Sequence, residues 1–101
     1  MFASLDGGSF RSVRAFVHAA GRSQEIEPDP RLGKILARTE LFPSERLMSR
    51  LARDIAREER EYGDAVDAVR IQVWRIEFAP RSLAPTQRLL RERTVVVPPD
   101  S

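Results

Sequence analysis

The thirteen residues Val66 to Phe78 constrain the fold more than any other stretch of the chain. They are rich in β-branched and aromatic side chains, alternate apolar with polar, and are closed by Pro80 two positions on, which reads as a long strand. The alternation changes phase part-way. Val69, Ile71 and Val73 share one parity, whereas Trp74, Ile76 and Phe78 take the other. Side chains alternate with period 2, so the strand is expected to switch its buried face or to carry a bulge near Val73–Trp74.

Around this strand the remaining elements follow in order. Asp6-Gly7-Gly8-Ser9 is turn chemistry. Phe10 to Ala19 alternates, with Val13, Ala15 and Val17 on one face and Phe10, Arg14, Phe16 and His18 on the other, and reads as a strand. Ala20-Gly21-Arg22 turns the chain, and the short polar run Ser23 to Glu27 returns as an edge strand of a β-hairpin. Pro28 and Pro30 end it. Pro28 to Pro43 is read as a crossover, with a short helix possible over 31–41, where Leu32, Ile35 and Leu36 fit a turn or two.

A long helix is predicted over 44–62. Ser44 is its N-cap, Glu45 suits the positive end of the helix dipole, and Gly63 supplies the C-terminal stop. Leu47, Met48, Leu51, Ile55 and Tyr62, with Ala52 and Ala56, make its apolar stripe. After the strand at 66–79, residues 80–85 form a proline-bracketed loop, and 88–97 is the last strand. The sum is an α+β fold, a four-stranded antiparallel sheet in the order β-β-α-β-β with one long helix on one face. Tails are expected at 1–9 and 98–101, with a single domain over 10–97. One helix covers one sheet face, so Trp74, Ile76 and Phe78 need a second cover, which either the 31–41 segment or a partner surface would supply.

The chemistry-bearing residues exclude much. The chain has no cysteine and one histidine, His18, which leaves no thiol nucleophile and no zinc site built from nitrogen and sulfur ligands. No G-x-S-x-G or phosphate-cradling glycine loop is present. Glu58, Glu59, Glu61, Asp64 and Asp67 cluster at the helix end, but Arg57 and Arg60 are interleaved, so local ion pairing is the simpler expectation. No catalytic residue, cofactor or metal site is predicted. Core burial of Trp74 is preferred over an RNA-reading sheet surface.

The basic residues are almost all arginine, with Lys34 the one lysine among 17, yet the net charge is only +2. Such a balance argues against nucleic acid as the partner. Arg46, Arg50, Arg53, Arg57 and Arg60 recur at helical spacing opposite the apolar stripe, forming a ridge suited to an acidic surface or an anion. The candidate partner-binding residues are therefore Trp74, Ile76 and Phe78 on the sheet and Arg46, Arg50, Arg53 and Arg57 on the helix. The expected function is a non-enzymatic interaction or accessory domain that binds a protein partner, itself as a homodimer, or a membrane-associated assembly. The alternative is a small anion- or nucleotide-binding protein that uses arginine side chains.

With neither a signal peptide nor a run long and apolar enough to span a bilayer, the chain as given is expected in the cytoplasm. Two stretches bear on this. Met1-Phe2-Ala3 with the strand Ser12–Val17, and the later run Val69–Arg75, resemble the soluble segment following the last membrane helix in actinobacterial multi-pass proteins related to the HTTM (vitamin K-dependent carboxylase-like) group. The tryptophan that often precedes Met-Phe-Ala there has no counterpart here. The resemblance implies an accessory domain, membrane-associated if part of a longer protein, and carries over no catalytic residue.

Overall fold

The computed structural model describes residues 8–78 and 84–98. Four strands, β1 (Gly8–Ala19), β2 (Arg22–Ile26), β3 (Ala68–Phe78) and β4 (Thr86–Val96), form an antiparallel sheet in the order β2-β1-β3-β4. Two helices, α1 (Gly33–Leu41) and α2 (Glu45–Glu61), separate the hairpin from β3. The α+β antiparallel architecture agrees with the sequence reading. The loop expected at 80–85 lies mostly outside the described residues, as do most of both expected tails, although strand pairing already begins at Gly8 opposite Phe78.

The β1–β2 hairpin turns through Ala20 and Gly21, both at positive φ (52° and 76°). Only glycine takes that region freely, so Ala20 needs support. Asp67 gives it: its carboxylate accepts the Ala20 N–H at 3.0 Å. Asp67 also donates its N–H to the His18 carbonyl at 2.8 Å and accepts the Val97 N–H at 2.9 Å. One aspartate thus ties the hairpin turn, the start of β3 and the end of β4.

In α2 the Ser44 hydroxyl accepts the Leu47 N–H at 3.2 Å, with Glu45 in the first turn. Met48, Leu51, Ala52, Ile55 and Ala56 are buried on one stripe. The 31–41 segment is a 3-10 turn (Pro30–Leu32) running into α1, which buries Ile35 and Thr39 and lies on the same side of the sheet as α2. Thr39 satisfies its hydroxyl against the Ile35 carbonyl at 2.7 Å. Two helices rather than one therefore cover that face, and the segment does not cover the other.

The core lies between this helix layer and the inward face of the sheet. Ala15, Val69, Ile71 and Val73 are fully buried there, and Val66 and Val97 close one end. The irregularity at Val73–Trp74 is real but sits elsewhere than expected. β1 and β3 stay in register through that point, Val13 opposite Val73 and Ser12 opposite Trp74. The register shifts between β3 and β4, where Val73 faces Arg91 and Trp74 faces Leu89, leaving Leu90 as the extra residue on the edge strand. β3 keeps its period and carries apolar residues on both faces. No described helix is long and apolar enough to cross a membrane.

Candidate functional site

Period-2 alternation along β1 and β3 sends Val13, Ala15, Val17, Val69, Ile71 and Val73 to the helices and leaves the other parity on an uncovered face. At one end of that face the Phe10 and Phe78 rings stack at 5.8 Å with 23° between planes. Both remain about half exposed, at 50% and 47%. Ile76 stands directly opposite Phe10, and Leu89 opposite Trp74. Together they form an apolar end with none of the described helices over it.

Towards the middle the same face becomes polar and self-covering. The Arg14 guanidinium lies 5.3 Å from the Trp74 ring centroid and donates to Gln87 Oε1 at 3.1 Å. The Arg70 guanidinium sits 4.6 Å over Phe16. Trp74 Nε1–H donates to Gln72 Oε1 at 2.9 Å, and Gln72 Nε2–H donates in turn to Glu92 Oε2 at 2.6 Å. Cation–π contacts of this kind bury the aromatic faces while keeping charge at the surface. Two buried atoms, Arg70 Nε and His18 Nε2, have no hydrogen-bond partner among the described residues. Glu92 Oε2 lies 4.0 Å from Arg70 Nε. Trp74 is therefore half-buried on the open face, not a core residue, because its parity puts it on the other side of the sheet from Val73 and beneath Arg14.

The helix arginines lie on the far side of the molecule. Arg46, Arg50, Arg53 and Arg57 are exposed along α2, as their spacing predicts. Arg57 reaches Asp54 at 3.5 Å. Arg60 departs from the ridge and turns inward, donating to the carbonyls of Val66 at 2.8 Å and Val97 at 3.2 Å. The predicted partner-binding residues thus belong to two separate surfaces.

The acidic cluster is dispersed. Glu58 pairs with Arg31 of the 3-10 turn, and Asp67 serves the backbone of the hairpin turn. Burial, with the Asp64 charge nearby, pushes the Glu59 carboxyl above its ordinary range. Among the described residues no three acidic or histidine side chains gather as metal ligands would. Asp29 holds the crossover to α2. Its carboxylate accepts the Arg31 N–H at 2.9 Å and the Tyr62 hydroxyl at 2.7 Å, and these bonds with the Arg31 guanidinium lower its pKa to about 2.

Phe10 and Leu89 belong to the apolar end but were not among the candidate residues. The alternation of β1 had already placed Phe10 with Phe16, away from Val13 and Ala15, so its signal was present. Leu89 had none, since the bulge at Leu90 fixes its face. The described residues form a two-layer α+β domain with one sheet face that none of its helices covers. No family model, curated protein or solved structure matches it.

Proposed function

We propose that this chain is a non-enzymatic interaction domain whose open sheet face docks against a second copy of itself. The observation that carries this reading is the apolar end, where the stacked Phe10 and Phe78 rings and Leu89 stay about half exposed on a sheet whose described helices lie on its other side. An apolar patch of this kind marks an interaction surface.

Size and charge favour self-association. Three strands of about 35 Å and one short strand, spaced about 4.8 Å apart, give the face a footprint of about 600 Å² in plan. Each side of a standard interface contributes about 800 Å², so the whole face, with its side-chain relief, amounts to one such half. On this face the cations Arg14 and Arg70 are matched by the carboxylates Glu25 and Glu92, as the pairing places them. A face with balanced charge meets its own copy without a net like-charge penalty.

Sedimentation equilibrium on the wild type and on Phe78→Asp tests the proposal. The wild type should show a concentration-dependent dimer and the variant a monomer, with Trp74 fluorescence shifting to longer wavelength as the dimer dissociates. A strict monomer at every concentration would falsify it.

A further inference from the structure

At the same end of the sheet, on the side facing the helices but beyond their cover, the register creates an arrangement that the sequence does not show. Arg11 on β1 is paired with Arg75 on β3, and Arg75 with Arg88 on β4. Three arginines therefore stand directly opposite one another on neighbouring strands, with side chains on one face. Like charges in that position destabilise a sheet. Arg91, beyond the bulge, shares this face and lines a groove with Arg11, Pro43, Ser44 and Leu90.

None of these four arginines pairs with a carboxylate among the described residues. Glu77, two positions along β3 on the same face, makes no ion pair with the described residues either. Glu45, the acid in the first turn of α2, is engaged by Arg93 at 3.6 Å. Two of the four are already positioned. Arg11 donates to the Leu41 carbonyl at 2.7 Å, and Arg75 reaches Ser9 Oγ at 3.5 Å. The groove opens at the N-terminal end of α2, where the helix dipole adds positive potential.

We propose that the row Arg11–Arg75–Arg88, with Arg91, binds an anion made of linked phosphate groups. Guanidinium forks match phosphate oxygens, and an anion relieves the mutual repulsion of the row. The row spans two interstrand steps, about 10 Å, so one phosphate meets a neighbouring pair of arginines whereas a short phosphate chain meets all three. This site is independent of the self-association surface, which lies on the opposite face of the same strands.

Calorimetric titration with inorganic phosphate, pyrophosphate and tripolyphosphate at constant ionic strength tests the assignment. Affinity should rise with each added phosphate. Arg75→Gln, at the centre of the row, should weaken tripolyphosphate binding at least about tenfold, the loss of one charge-assisted contact. Arg53→Gln, on the exposed ridge of α2, should leave it within about twofold. Without anion, Arg75→Gln should melt no lower than the wild type, which separates loss of a ligand contact from loss of fold. The site is overturned if tripolyphosphate does not bind, if Arg53→Gln weakens it as much as Arg75→Gln, or if a single-stranded oligonucleotide of equal phosphate number binds more tightly.

Discussion

The two faces of β1 and β3 are made of the same strands and solve burial in different ways. The covered face uses small and β-branched side chains, Ala15, Val69, Ile71 and Val73, because Leu51, Ile55 and Met48 of α2 fill the space above them. The open face has no such layer and uses large flat groups that cover one another: Phe10 on Phe78, Arg14 on Trp74, Arg70 on Phe16. Helix cover removes side chains from water completely, while stacking within a face leaves them partly wet. The difference shows that exposure here follows from topology, not from a weaker hydrophobic signal.

The sharpest way to break this comparison uses one residue type on both faces of one strand. Ile71→Ala should cost about 2–5 kcal/mol in denaturant unfolding, because it leaves a cavity in a packed core. Ile76→Ala, on the open face, should cost about 1 kcal/mol or less in the monomer. Equal costs under dissociating conditions would mean that the two faces are equally sealed. A smaller effect tests whether the arginines truly act as cover. A double-mutant cycle of Arg14→Ala and Trp74→Ala should give a coupling of about 0.5–1 kcal/mol. Zero coupling would reduce that contact to mere proximity.

The smallest effect concerns what holds the helix layer in place. Asp29 has a folded-state pKa of about 2, below its ordinary value, owing to the Arg31 N–H, the Tyr62 hydroxyl and the Arg31 guanidinium. A depressed carboxyl contributes stability that is complete above the unfolded pKa, about 4, and is lost as pH falls towards the folded value. The gap in thermal midpoint between wild type and Asp29→Asn should therefore narrow from about pH 5 to about pH 2. A gap that stays constant across that window would show that this carboxylate does not tie the crossover to α2.

Much of the site could be read from alternation. The opposite parities of Val69, Ile71, Val73 and of Trp74, Ile76, Phe78 are local facts, and they hold in the structure because β3 never breaks its period against β1. The bulge was expected on β3 because a phase change in one strand looks like a defect of that strand. It lies on β4, where an edge strand can absorb an extra residue at little cost. Arg60 looked like part of the ridge since its spacing fits, yet it turns inward to donate to the carbonyls of Val66 and Val97.

By itself the sequence determined the strands, the α2 helix with its Ser44 cap, and the two-sided character of β3, since propensity, capping and period act over a few residues. Tertiary structure alone decided the order β2-β1-β3-β4, the placing of α1 beside α2, and the meeting of Arg11, Arg75 and Arg88. Those depend on register between segments far apart in the chain. Register is fixed by how whole faces bury together, and no local pattern encodes it.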